Sequence, residues 1–301
     1  MRSKEVKNPR VLLAISGSGS TAAAVLDSKL SHGLEGVDIV GVMASNNKKD
    51  TGKAFRKKLP NYTFLKNSEV ETISPYDFKN SDGTNNRELY GEAILQYMDE
   101  LGADSIAQLG FIPLMPHSVV DNAAWVINQH PGPLDPGRID SVTKEQLDFG
   151  GKGMRGSAVT VARLAYMWAT GREYWTESTV HFVTPDEEHD KGKLVSVKRL
   201  DIPWATPSVS GWSHPPTIGE IWSFHQSELR HEAKDVQDAL LPVEHENVVK
   251  AISMFAFGQR PEGFTREHPL IDPGQGREYI LFRAKDLGRK MAPKGDLLFA
   301  V

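Results

Sequence analysis

The sequence contains no cysteine. That absence excludes disulfide staples, thiolate nucleophiles and cysteine-ligated metals, and it suits a reducing compartment. Long apolar runs are missing too. No stretch approaches the roughly 20 residues that a helical bilayer span needs, so no membrane segment is expected. Met1 to Arg10 is charged, with no apolar h-region behind it, so the expected location is cytoplasmic rather than secreted. Positive charge is not in excess: 35 Lys and Arg stand against 39 Asp and Glu, a formal net charge of -4. That balance argues against a nucleic-acid surface. No internal repeat or low-complexity stretch interrupts the chain. What remains, 39% hydrophobic and 25% charged over 301 residues, is an ordinary globular composition. The length accommodates a full α/β domain with a second lobe.

The stretch that organises the rest is Trp125-Val126-Ile127-Asn128-Gln129-His130-Pro131-Gly132-Pro133-Leu134. Side chains two apart on an extended segment share a face, so Asn128 and His130 point the same way. Pro131 has no N–H for a ladder bond, so strand pairing should stop there. In open α/β sheets the carboxyl ends of the strands are where ligands bind. An amide beside an imidazole suits a carbonyl that gains charge, the amide donating to the oxyanion and the imidazole moving a proton. The competing reading is a strand end whose polar residues satisfy loop backbone. From this stretch alone the two readings stand level.

Upstream, Val11 to Ile15 is a continuous apolar run, as in a parallel strand covered on both faces. It feeds Ser16-Gly17-Ser18-Gly19-Ser20-Thr21 and then a helix-favouring segment, Ala22 to Leu30. A strand, a small-residue turn and a helix start form an anion site, because free N–H groups converge there. The turn lacks the Gly-Lys-Ser/Thr ending of a Walker A loop and is not a complete Gly-x-Gly-x-x-Gly fingerprint. A tight turn without a ligand is the alternative, and the small polar filling favours the anion.

The spacing then predicts a strand over Val37 to Met43, a basic helix over Thr51 to Leu59 and a short strand over Tyr62 to Leu65. A polar loop over Asn67 to Asn86 precedes a helix over Arg87 to Leu101. A strand over Ser105 to Leu109 and a short helix over His117 to Ala123 lead into the Asn128 strand. Asp135 to Arg155 reads as a long loop, Ala158 to Thr170 as a helix ended by Gly171. Ser178 to Thr184 and Leu194 to Ile202 read as antiparallel strands. The tail carries helical patterns over Ile218 to Ala233 and Val243 to Phe257, and a strand-like Tyr279 to Phe282. Alternation of strands and helices indicates a doubly wound, mostly parallel sheet, α/β in class. We expect a catalytic domain over residues 1–203 and a mostly helical C-terminal extension over 204–301.

Several motifs, kept in order over about two-thirds of the chain, resemble the folate-dependent formyltransferase family, in particular its glycinamide ribonucleotide branch. They are the Ser16 to Ser20 loop, Arg87 with Leu109-Gly110-Phe111, Asn128-x-His130-Pro131 with Leu134, and Thr179-Val180-His181 followed by Asp190-Lys191-Gly192. The resemblance implies a Rossmann-like fold and a cytoplasmic transferase of one-carbon metabolism, of the kind used in purine biosynthesis. It implies transfer of a formyl group from 10-formyltetrahydrofolate to a small amine, with Asn128, His130 and Asp190 as the catalytic set. Arg87, Phe111, Ile112, Leu114, Met115 and Thr184 would line the folate. Gly17, Ser18, Gly19, Ser20 and Thr21 would take the acceptor's phosphate. Folate is then a co-substrate, no metal or nucleophilic side chain is required, and a homodimer is a candidate assembly.

The chain also departs from the family pattern. Gly132 replaces the signature Ser, Lys191 the first Gly of the Asp-Gly-Gly turn, and Thr21 an Asn of the first loop. The Asp135 to Arg155 loop lengthens the interval to Asp190 and could reshape the acceptor site. A formyltetrahydrofolate hydrolase releasing formate, and a non-catalytic folate- or nucleotide-binding relative, are the alternatives. His181 reads as a structural strand histidine. His189 and Asp190 with Asp186, Glu187 and Glu188 read as a solvated acidic turn rather than a metal site. Trp204, Trp212 and Trp222 read as packing residues, and Lys53, Arg56, Lys57 and Lys58 as an exposed face.

Overall fold

Val11 to Ile15 are all completely buried, as a strand covered on both faces requires. In the computed structural model, which describes residues 7–67, 69–185, 189–207, 214–271 and 276–292, they form β1 (Arg10–Ile15). Around it lies a seven-stranded sheet in the order β3-β2-β1-β4-β5-β6-β7. Its other strands are β2 (Asp38–Ala44), β3 (Glu71–Thr72), β4 (Ser105–Gln108), β5 (Trp125–His130), β6 (Trp175–Phe182) and β7 (Leu194–Asp201). β1 pairs in parallel with β2 and β4, β2 with β3, and β4 with β5. The Ile202 N–H donates to the Tyr174 carbonyl. That bond puts the end of β7 beside the start of β6, so this pair is antiparallel, as expected. The α/β class with a mostly parallel, doubly wound sheet and C-terminal helices is borne out.

The helices are α1 (Ser20–Leu30), α2 (Arg87–Leu101), α3 (His117–Asn122), α4 (Ser157–Thr170), α5 (Ile218–Phe224), α6 (Gln226–Ser253) and α7 (Arg277–Met291). Asn86 caps α2, accepting from the Leu89 N–H at 3.0 Å. Gly102 and Gly171 end α2 and α4 in the left-handed conformation that glycine adopts freely. The direction of chain progression reverses at β1, which has β2 on one side and β4 on the other. The loops after β1 and β4 therefore leave a topological switch point.

The chain forms two compact units. The first comprises Met1–Gln129, Val180–Glu188 and His245–Gly263. Its core includes Leu12, Ala14, Met43, Ile94, Ile106 and Val126, and Trp125 stacks on Phe255 with ring centroids 4.2 Å apart. The second comprises His130–Thr179, His189–Glu244 and Phe264–Val301. Its core is built on α4, where Val159, Leu164, Tyr166 and Trp168 are buried with Leu281 and Leu287 of α7. At Gly288 an added Cβ would lie 2.3 Å from the Ala158 carbonyl oxygen, so this contact requires glycine.

Several local expectations are corrected. Thr51 to Leu59 is not a helix: only a 3-10 turn over Arg56–Asn61 forms. The Gly52 and Ala54 N–H groups donate instead to the Gly17 and Ser18 carbonyls. Tyr62 to Leu65 is a turn rather than a strand, and the Tyr62 hydroxyl is bonded to Asp27 at 2.7 Å. Tyr279 to Phe282 lies inside α7, whose buried positions Leu281, Ala284, Lys285 and Gly288 have helical spacing. A four-residue window was too short to show that period. The pattern over Ile218 to Ala233 resolves into two helices divided at His225.

Candidate active site

Ser16 closes β1 and holds the first loop from within. Its hydroxyl is 2.6 Å from that of Ser45 and accepts the Ile112 N–H at 2.8 Å. Asn46 donates to the Ser16 carbonyl and accepts from Thr51, at 3.0 and 2.7 Å. Gly17 and Ser18 are exposed and Thr21 is buried. Gly19 caps α1 at φ 74, and no side chain caps the helix start or places a carboxylate in its first turn. A Cβ on Gly19 would meet the Phe55 ring at 2.5 Å, which restricts the position to glycine. The first-turn N–H groups, including those of Ser20 and Thr21, have no acceptor within the helix. This loop can take an anion.

The Ile112 bond ties that loop to the segment after β4. Arg87, at the start of α2, donates from Nη2 to the Leu114 and Met115 carbonyls, both at 3.4 Å. Phe111 and Met115 turn their side chains into the core. What this segment offers a ligand is therefore backbone together with half-buried Ile112 and Leu114. Arg87, Ile112, Leu114 and the first loop are brought together. Thr184 is half-buried beyond the end of β6, where the Val183 N–H donates to the Val126 carbonyl.

Asn128 pairs in register with Gln108 of β4. Its Nδ2 lies 3.1 Å from His181 Nε2, and His181 Nδ1 lies 2.8 Å from the Phe182 carbonyl. A carbonyl only accepts, so Nδ1 donates to it, and the ring turns Nε2 toward the Asn128 amide. His181 thus holds a hydrogen bond to Asn128 from within the sheet.

Strand β5 ends at His130, as Pro131 requires. The imidazole is only 3% exposed, with Nδ1 3.6 Å from Asp190 Oδ2 and Nε2 3.1 Å from the Phe149 carbonyl. Each ring nitrogen therefore faces an acceptor, the Asp190 carboxylate or the Phe149 carbonyl. Asp190 sits in a left-handed turn at φ 60, and its Oδ2 accepts the Gly151 N–H at 3.0 Å. A Cβ at Gly132 would lie 2.4 Å from Val159 Cγ1, so the glycine at the signature Ser position fits the packing. Thr179 holds the Gly132 carbonyl at 2.7 Å.

The long loop was expected, but not its contribution. Asp148, at the centre of Gln146 to Gly151, is completely buried. Burial pushes its carboxyl up to about 6, against the pull of Lys285 and two backbone N–H bonds. Lys285 of α7 is buried as well, and burial pushes its ammonium down against the attraction of Asp148. No local motif marks either residue. Among the described residues no group of three or more His, Cys, Asp or Glu could hold a metal. Asp186, Glu187, Glu188 and Trp212 lie outside the described residues. Trp204 and Trp222 are about half exposed rather than packed in the core.

Residues 9–136 match a family model described as formyl transferase. The comparison with curated proteins returned no match. Among solved structures, the chain is similar to glycinamide ribonucleotide transformylase 1 from Symbiobacterium toebii. The identity is 17%, covering 86% of this chain and 93% of that one, with a TM-score of 0.53. The phosphoribosylglycinamide formyltransferase from Coxiella burnetii, solved in complex with CHES, is 19% identical over 87% and 96% of the two chains, with a TM-score of 0.53. The enzyme from Brucella melitensis is 19% identical over 85% and 99%, with a TM-score of 0.52. At such identities the structures establish a shared fold, and the similarity to the formyl transferase model extends over residues 9–136.

Proposed function

We propose that this chain transfers a formyl group from 10-formyltetrahydrofolate to a small amine, which the anion-type first loop suggests is phosphorylated. The observation that carries the reading is the buried His130 imidazole between Asp190 and the Phe149 carbonyl, two residues beyond Asn128. The acceptor's nitrogen bonds to the formyl carbon, and the carbonyl oxygen becomes an oxyanion. Asn128 donates to that oxygen, and His130 shifts its Nε2 proton from the Phe149 carbonyl toward it. The bond from carbon to the folate nitrogen then breaks, and the proton lost by the amine passes to that nitrogen. Asp190 holds the imidazolium. Arg87 braces the Phe111 to Met115 segment against which the pterin lies, with Thr184 on its other side. Gly17 to Thr21 hold the acceptor's phosphate. Residues 1–203 supply the catalytic groups proper, and 204–301 form the extension. Glycinamide ribonucleotide is the amine to test first, and with it goes a cytoplasmic role in purine biosynthesis.

Absorbance-monitored turnover of 10-formyltetrahydrofolate, with and without glycinamide ribonucleotide, tests this. The expected result is turnover that depends on the amine and falls roughly 100-fold or more in His130→Ala. Formate release without any amine would replace the transferase with a hydrolase. Absence of both turnover and folate binding would overturn the reading.

A further inference from the structure

Segment Gln146 to Gly151 touches the His130 and Asp190 neighbourhood at three points. The Phe149 carbonyl accepts His130 Nε2, the Gly151 N–H donates to Asp190, and Gln146 Nε2 donates to the His189 carbonyl at 2.9 Å. The segment is in turn fixed from below. Lys285 Nζ donates to the Gln146 carbonyl at 3.2 Å and lies 3.9 Å from the place a Gly151 Cβ would take. Asp148 binds the Asp135 and Gly150 N–H groups, both at 2.8 Å, which closes the loop on itself. A Cβ at Gly150 would lie 2.9 Å from Asp190 Cβ and 3.2 Å from Asp148 Oδ1, so the two carboxylates flank one glycine. Burying a lysine and an aspartate this deeply is costly, and apolar replacements commonly stabilise such sites. Loop closure alone does not require these charges.

We propose that Asp148 and Lys285 are positioning residues for His130 and Asp190: Lys285 of α7 clamps the loop, and the loop holds both members of the pair. The proposal rests on the formyl-transfer reading for its purpose, not for its geometry. Asp190 repels Asp148 and attracts Lys285, while Glu145 and Arg289 also face Lys285. Glu145 and Arg289 pair with each other at 3.7 Å. Removing the Lys285 charge leaves the carboxylates to be balanced by the imidazolium, and removing the Asp148 charge does the reverse.

The test is the titration of the His130 ring by NMR in the full chain, its signal assigned by its loss in His130→Gln. Lys285→Met should raise the midpoint by about half a pH unit, roughly threefold in proton affinity, and Asp148→Asn should lower it by a similar amount. Lys290→Met, at an exposed position on α7, should leave it unchanged. In the wild-type chain the Asp148 carboxyl carbon signal should show, besides the step of its own titration, a second step at the His130 midpoint, a readout that needs no variant to fold. Folded Lys285 and Asp148 variants with an unmoved His130 midpoint, or no second step at Asp148, would overturn the proposal. In the turnover assay both variants should lower kcat with KM for the folate unchanged. A wild-type chain inert toward 10-formyltetrahydrofolate would sink the transferase reading, and the NMR coupling would still decide this one.

Discussion

Asp148 illustrates how one residue can bind stability to pH. Its folded-state value, about 6, stands above the ordinary 3.8. The native state therefore holds this proton more tightly than the unfolded chain does. The resulting stabilisation is fully present below the unfolded value and is lost as pH rises through the folded one. The swing is on the order of 3 kcal/mol. Urea denaturation between about pH 4 and 7 should show stability from this site falling as pH rises, with the slope flattened in Asp148→Asn. An unaltered slope would mean that other groups set it. Nothing in the sequence singled out Asp148, because an aspartate in a Gly- and Asp-rich loop reads as solvated. By contrast, Asn128 and His130 were legible, since their spacing on an extended run depends on neighbours alone.

At the scale of elements, the turn after β5 shows why a departure from the family pattern need not be a loss. Gly132 is packed under Val159, and a side chain there must displace it. Gly132→Ser, which restores the family's residue, should cost about 1–3 kcal/mol of stability rather than improve the site. Urea denaturation checks this, and a neutral or stabilising result would show that Val159 yields freely. Two of the elements misread from the sequence have groups that bond far along the chain. Residues 51–59 surrender helical bonds to the first loop, and Tyr62 is drawn to Asp27 of α1. The long periodic helices, α2 and α4, were read almost residue for residue, because their burial pattern repeats over several turns.

For the whole molecule, the C-terminal helix matters as part of a core rather than as an appendage. α7 approaches α4 at Gly288, where backbone meets backbone. Gly288→Val should destabilise the chain by about 1–3 kcal/mol or more, measured by urea denaturation, and should disturb the Lys285 clamp with it. An unchanged stability would mean that the α4–α7 contact is dispensable. The sequence by itself determined the α/β class and the parallel strands β1, β2, β4 and β5, while β3 fell in a stretch read as a loop. It also determined the strand end bearing Asn128 and His130, since apolar runs, periodicity and prolines act through adjacent residues. Only the tertiary structure decided that His181 bonds to Asn128, that Phe149 and Asp190 hold His130, and that Lys285 lies beneath the loop that carries Asp148. Those contacts join residues 19 to 139 positions apart. Chain folding, rather than local pattern, selects which polar groups share a buried volume.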